Sequence, residues 1–315
     1  MPKGIVLKST GKFYSILLDS GEHKTAIIRG KVRLHADKST NPVAVGDRVE
    51  VDNIKDDPEI MSIKSVFPRQ NYLVRKATNL SKRQQVLASN IDRIYLVVTI
   101  KNPITQYGFI DRFLVSAESF RIPVSLLFNK MDILSQDDKD KQDQLANIYS
   151  KIGYRCHFIS ANTYDSIKFL KKEIDGKQVL FAGNSGVGKS TLINALDPTL
   201  NLKTNEISKT HLQGKHTTTF AEMHRIKSGG FLIDSPGIKA FGLVDLKKEV
   251  ISHYFPEMRV LLNNCKYNNC LHLKEPNCAI KKALENKEIH PNRYVTYQQI
   301  MAEDQNDVYR KNSFL

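Results

Sequence analysis

Residues 183–190 read GNSGVGKS and fit the pattern G-x-x-x-x-G-K-[ST]. The apolar run QVLFA (178–182) stands before them and STLINAL (190–196) after, so the spacing predicts strand, tight loop and helix. The chemistry is phosphate binding. Glycines let successive backbone amides turn inward at the positive end of a helix, where anions are held. Gly183, Asn184, Ser185, Gly186, Val187 and Gly188 would form that cradle, with Thr191 completing the stretch expected to touch the ligand. The Lys189 ammonium would neutralise β and γ phosphates, and the Ser190 hydroxyl would hold magnesium.

A second group of residues could read a base. FNKMD (128–132) closes the apolar run VSLLF (124–128) and lands at a strand's C-terminal end, where open α/β sheets bind ligands. The Asp132 carboxylate would accept from guanine N1–H and the N2 amino group, neither of which adenine offers. Sites built on such bonds reject analogues lacking them by roughly 10⁴–10⁵. Asn129 would help fix the base, and the Lys130 stem would lie over its face. FISA (158–161) ends a further strand, and there Ser160 and Ala161 would bring an amide to guanine O6.

Two more segments suit the γ-phosphate. DSPG (234–237) follows the strand FLID, so Asp234 would hold magnesium through water and the Gly237 amide would meet the phosphate. KHTTTF (215–220) offers Thr217, Thr218 and Thr219 in a loop able to close over the metal. Thr218 is favoured because the second threonine of such runs takes this role in related GTPases. A plain polar loop is the alternative. The order is unusual: the base box precedes the phosphate loop, which reads as a circular permutation, tolerated because domain termini lie close together. Permutation makes DSPG the last nucleotide element before the C-terminal region, so nucleotide state is expected to couple to that region.

CKYNNCLHLKEPNC places Cys265, Cys270, His272 and Cys278 in one short stretch. Three thiolates and an imidazole complete a tetrahedral zinc site with no open position, which makes it structural. Free thiols in a polar loop are the alternative, disfavoured by their reactivity. Cys156, beside an apolar strand, reads as an inert core residue.

The elements that must position these groups divide the chain. Residues 1–68 carry short β-rich runs (GIVLKS, FYSILL, KTAIIRGKVRL, DRVEVD) split by turn residues, which predicts an all-β barrel of the OB type. Residues 69–90 are polar and basic and read as a linker. Its Arg69, Arg75, Lys76, Lys82 and Arg83 suit either an RNA contact or a solvated connector. Residues 91–244 alternate strand and helix as an α/β domain does, and 245–315 read as helical. The length of 315 residues suits about two or three domains. A net charge of +14 favours a polyanionic partner, nucleic acid being the commonest. Hydrophobic residues make up 41% and mean hydropathy is −0.36, both ordinary for a soluble protein. No apolar run nears the ~18 residues that span a bilayer, and MPKGIVLKST lacks a secretory core, so a cytoplasmic location and no membrane partner are expected.

NKMD, SA, GNSGVGKS, KHTTT, DSPGIKAFG and CKYNNCLHLKEPNC, in this order, resemble the small ribosomal subunit biogenesis GTPases, the RsgA (YjeQ) family. The resemblance covers nearly the whole chain. It implies an OB-fold, a circularly permuted P-loop GTPase domain and a C-terminal zinc domain. It also implies GTP/GDP with Mg²⁺ and one structural Zn²⁺ as ligands, and the small ribosomal subunit and rRNA as partners. Late subunit maturation, with turnover stimulated by that subunit, is the implied activity. A GTP-gated RNA-binding module, in which hydrolysis is incidental, is the competing reading. Ile238 stands where Ras-like switches often place a water-orienting glutamine. His216 is the candidate to order the water, the alternative being a group supplied by rRNA or a ribosomal protein. Nothing in the sequence demands a dimer, and a monomer is expected.

Overall fold

The computed structural model describes residues 1–33, 42–54, 57–76, 84–201, 221–227, 229–234 and 246–303. Its first strands are β1 (Lys3–Ser9), β2 (Phe13–Leu18), β3 (His23–Arg33), β4 (Arg48–Ile54) and β5 (Asp57–Val66). They pair in the order β1-β2-β3-β5-β4, and β1 with β4 closes the ring, giving the expected barrel. Alternation explains it: Val49 and Val51 of β4 point inward while Arg48, Glu50 and Asp52 do not. Val6, Ile16, Ala26 and Ile63 complete the filling.

The stretch read as a linker is more than a connector. β6 (Tyr72–Lys76) and β7 (Gln84–Ser89) form an antiparallel hairpin. Leu73 and Ala88 enter the core shared by barrel and α/β domain, and Val74 and Val86 pack with Ala44. Arg69, weighed above as an RNA contact, is an internal ion-pair partner. Its guanidinium donates to both oxygens of fully buried Asp47 at 2.7 Å, and Asp47 also accepts from Ser89 Oγ at 2.6 Å. A buried carboxylate left without such partners would be costly.

The α/β layer runs β8 (Arg93–Val98), α1 (Tyr107–Ser119), β9 (Val124–Phe128), α2 (Gln136–Lys151), β10 (Arg155–Phe158), α3 (Tyr164–Ile174), β11 (Gln178–Ala182), α4 (Lys189–Leu196), β12 (Glu222–Arg225) and β13 (Phe231–Asp234). Strands β10-β9-β8-β11-β13 are parallel, with β12 antiparallel at the end. β9 is buried on both faces, as strands covered by helices on either side must be. Helix α2 starts where Ser135 and Asp138 exchange bonds in a capping box. From β8 the chain moves to one side, to β9 and β10, and then returns to the other side at β11. The crevice between the ends of β8 and β11 is therefore the switch point where such sheets bind ligands. No described helix is long and apolar enough to cross a membrane.

Two junctions join the parts. β12 pairs with β1 through Lys8↔Glu222, so barrel and α/β layer form one eleven-stranded sheet. On the other flank lie α5 (Pro256–Arg259), α6 (Ala279–Glu285) and α7 (Pro291–Ala302), whose core with Phe255 and Tyr297 takes in Val115 of α1. Arg293 of α7 is 1% exposed and binds Asp111 of α1 at 2.8 Å and Glu257 of α5 at 2.7 Å. Burial alone would lower the guanidinium's pKa, but the Glu257 and Asp111 carboxylates outweigh it and raise it.

Candidate functional site

The phosphate loop leaves β11 at Gly183 and enters α4 at Gly188, and left-handed backbone makes the turn. Gly188 has φ +98, and a Cβ there would lie 2.4 Å from Asn129 Nδ2. A Cβ at Gly183 would lie 2.5 Å from the Val97 carbonyl of β8. The loop is thus packed against the end of β8 and against the base box. Within it, Lys189 Nζ donates to the carbonyls of Gly183 at 2.7 Å and Asn184 at 2.6 Å. Ser185 and Gly186 are exposed at the rim, Ser190 is half-buried on the first turn of α4, and Thr191 is exposed.

Asn129 ties the two motifs together. It is 1% exposed, donates Nδ2 to the Val187 carbonyl at 2.8 Å and accepts from the Ala161 amide at 3.2 Å. One side chain thus bridges base box, phosphate loop and SA loop. Both ends of the amide bind the protein's own loops, which holds the base box in place against the phosphate loop.

Asp132 is exposed, and its carboxylate is aimed by two neighbours. Oδ1 accepts from Ser160 Oγ at 2.6 Å, and Oδ2 accepts from Asn162 Nδ2 at 3.0 Å. The Ser160 hydroxyl foremost, with Asn162, holds this carboxyl below its usual range. The sequence reading missed Asn162. The residue after an SA pair carries no distinguishing signal of its own, and only the fold brings it back to Asp132.

A further wall was also missed. The β8–α1 connection is fixed by Thr99 Oγ1 donating to the Pro103 carbonyl at 2.6 Å and the Thr99 amide donating to Thr105 Oγ1 at 3.0 Å. Lys130 Nζ donates to the Asn102 carbonyl, and the Pro103 ring lies beside Gly186. Burial lowers the Lys130 pKa, with Asp132 acting in the opposite sense. Asp234 ends β13, and its backbone pairs with Glu222 of β12. His216, Thr217, Thr218, Thr219, Gly237 and Ile238 lie outside the described residues.

The C-terminal cluster is assembled. The ligand atoms of Cys265, Cys270, His272 and Cys278 all lie within 4.8 Å of one another. His272 Nδ1 is 3.5 Å from Cys265 Sγ and 3.4 Å from Cys278 Sγ. Bonds of about 2.3 Å to sulfur and 2.0–2.1 Å to nitrogen around a tetrahedral zinc put S and N about 3.6 Å apart, so the donor set fits. The loop is held from outside. Tyr294 and Tyr297 of α7 donate to the carbonyls of His272 at 2.6 Å and Leu271 at 2.7 Å, and Glu275 accepts the amides of Leu271, Leu273 and Lys274. Cys156 stands apart and half-buried, with burial pushing its thiol up to about 11, as an inert residue would have it.

Comparison with known proteins agrees with this construction. The family model described as RsgA GTPase matches residues 66–244, and that described as RsgA N-terminal domain matches 3–59. A protein of Bacteroides fragilis named small ribosomal subunit biogenesis GTPase RsgA is 46% identical over 308 residues, covering 98% of this chain and 99% of its own. One of the same name from Flavobacterium johnsoniae is 48% identical, over 96% of this chain and 93% of its own. The crystal structure of YjeQ from Thermotoga maritima superposes with a TM-score of 0.77 at 34% identity, over 95% of this chain and 97% of that one. That of YloQ, described as a circularly permuted GTPase, gives 0.74 at 31%, over 98% and 96%. A base box that precedes its phosphate loop yet shares one crevice with it, likeness from end to end, and a matching fold all agree: the chain belongs to the RsgA GTPase family.

Proposed function

We propose that this protein hydrolyses GTP as a switch in late maturation of the small ribosomal subunit, and that docking on the subunit stimulates turnover. The observation that carries the reading is Asn129, whose side chain makes one unit of base box and phosphate loop, in a chain whose end-to-end relatives bear the name small ribosomal subunit biogenesis GTPase.

In this reading Asp132, already ionised and aimed by Ser160 and Asn162, selects guanine, and the Ala161 amide faces O6. The Lys130 stem covers the base. The amides from Gly183 to Ser190 cradle the phosphates, with Lys189 shifting from the loop carbonyls to the β and γ oxygens. Ser190, Thr218 and Asp234 would hold magnesium, which when bound would offset the negative charge that develops on the phosphate oxygens. The Gly237 amide meets the γ-phosphate. His216 orients the attacking water, because the Ile238 side chain has no hydrogen-bonding atom. Cys265, Cys270, His272 and Cys278 hold one structural zinc. The net charge of +14 suits rRNA as the docking surface, and the protein works as a cytoplasmic monomer.

The test is GTP turnover by the protein alone, then with small subunits, large subunits or naked rRNA, with ATP as control. Stimulation by small subunits alone supports the reading. Stimulation by none of them removes the ribosomal part and leaves a GTPase with another partner. His216→Ala with undiminished stimulated turnover removes that residue from the mechanism.

A further inference from the structure

The N-terminal barrel is fused to the α/β layer at the strand that enters directly from the threonine loop. β1 is bulged at Leu7: Val6 pairs with Ile16, but Lys8 pairs with Ser15. Bulges re-aim a strand. Beyond this one, β1 stays paired with β2 on one side and, on the side where Lys3–Ile5 had paired with β4, takes β12, Lys8 opposite Glu222. Lys8 Nζ lies 2.9 Å from Glu222 Oε2. On its other side Glu222 pairs with Asp234, the first residue of DSPG. One barrel residue therefore meets the place where the threonine loop ends and the next γ-phosphate segment begins. Beneath it, Ile5 and Leu7 of the barrel share a core with Ala221, Met223 and Ile233. A shift of β12 must carry β1 with it or open that core.

We propose that Lys8 is a positioning residue for the GTPase, and that the Lys8–Glu222 pair transmits nucleotide state to the N-terminal barrel. The inference rests on the GTP-switch reading above. It assigns the barrel a direct link to the γ-phosphate segments, distinct from the C-terminal coupling expected from motif order.

Both side chains are partly exposed, at 43% and 34%, so charge changes there leave the core intact. The experiment uses the full chain, with Lys8→Glu, Glu222→Lys and the double swap. It measures affinity for GDP and a non-hydrolysable GTP analogue, and hydrogen exchange of residues 3–9 in each state. The unmodified protein is expected to show exchange in β1 that differs between the two nucleotides. Each single variant should lose that difference and change the preference between the nucleotides by about two- to fivefold, the range of a partly exposed pair. The swap should restore both. A merely structural pair would alter melting but not the nucleotide dependence. Normal binding with identical β1 exchange in both states overturns the coupling alone. Absence of GTP binding by the unmodified chain overturns the GTPase reading and the coupling with it.

Discussion

Arg293→Met should cost about 3–5 kcal/mol of stability, the usual result of removing one partner from a buried ion pair. Methionine keeps much of the length and the apolar contact, so the change isolates the charge. The arginine makes three bonds: Nε and one Nη to Glu257 at 2.7 and 3.1 Å, and the other Nη to Asp111 at 2.8 Å. Bonds to charged groups contribute about 1.5–3 kcal/mol each, which gives roughly 4.5–9 before the guanidinium's own desolvation is set against it. Asp111 keeps Tyr149 Oη and Thr296 Oγ1, both at 2.8 Å, whereas Glu257 loses both bonds recorded for it. The loss is a large share of the 5–15 kcal/mol typical of a folded protein. The chain has no tryptophan, so urea unfolding is best followed by circular dichroism, with hydrogen exchange at α7 separating the C-terminal transition from the rest. Asp111→Asn combined with Arg293→Met should cost less than the sum of the single changes, because the first removes a charge that the second would strand. A cost under about 1 kcal/mol, or strict additivity, would refute the claim that this seam depends on paired buried charge.

Gly188→Ala should weaken GTP binding about ten- to hundredfold in a direct affinity measurement. Its Cβ would lie 2.4 Å from Asn129 Nδ2 at φ +98, adding left-handed strain to loss of the Val187 bond. Ser160→Ala should move the acid limit of GTP binding to higher pH. Asp132 loses the bond that does most to depress its pKa and is then protonated earlier as pH falls, while affinity near pH 7 changes little. Metal analysis should find one zinc per chain, lost in Cys278→Ser and kept in Cys156→Ser. Arg69→Ala should lower the melting temperature while leaving rRNA affinity at fixed salt unchanged, because its guanidinium is spent on Asp47; the reverse pattern would restore it as an RNA contact.

The placement of the motifs was legible where the signal is local. NKMD and the phosphate loop each sit at the end of an apolar strand a few residues long, and SA follows the short, mixed strand β10; that grammar survives permutation because it does not depend on the order of the units. Long-range contacts were not legible. Asn129 meets Val187 across 58 positions and Arg293 meets Asp111 across 182, and neither asparagine nor arginine announces a partner in sequence. The hairpin at 72–89 was hidden by its composition: Leu73, Val74, Val86 and Ala88 are diluted by polar neighbours, and their burial is supplied by surfaces on either side. Arg69 looked like a surface charge because its partner, Asp47, lies in the barrel. Barrel and α/β layer join through a bulged strand, and Leu7 gives no compositional sign of the bulge.

The continuous sheet limits how another chain can attach. β4 meets β1 over Arg48–Glu50 and β12 meets β1 at Glu222, so among the described residues of that sheet β10 alone pairs with a single neighbouring strand. An open side invites strand addition and fibre growth, and folds blunt it by making it short and charged. β10 is four residues long and opens with exposed Arg155. Strand addition at this end of the sheet is therefore blunted by a short strand that opens with a charge, and this end lies far along the sheet from the barrel.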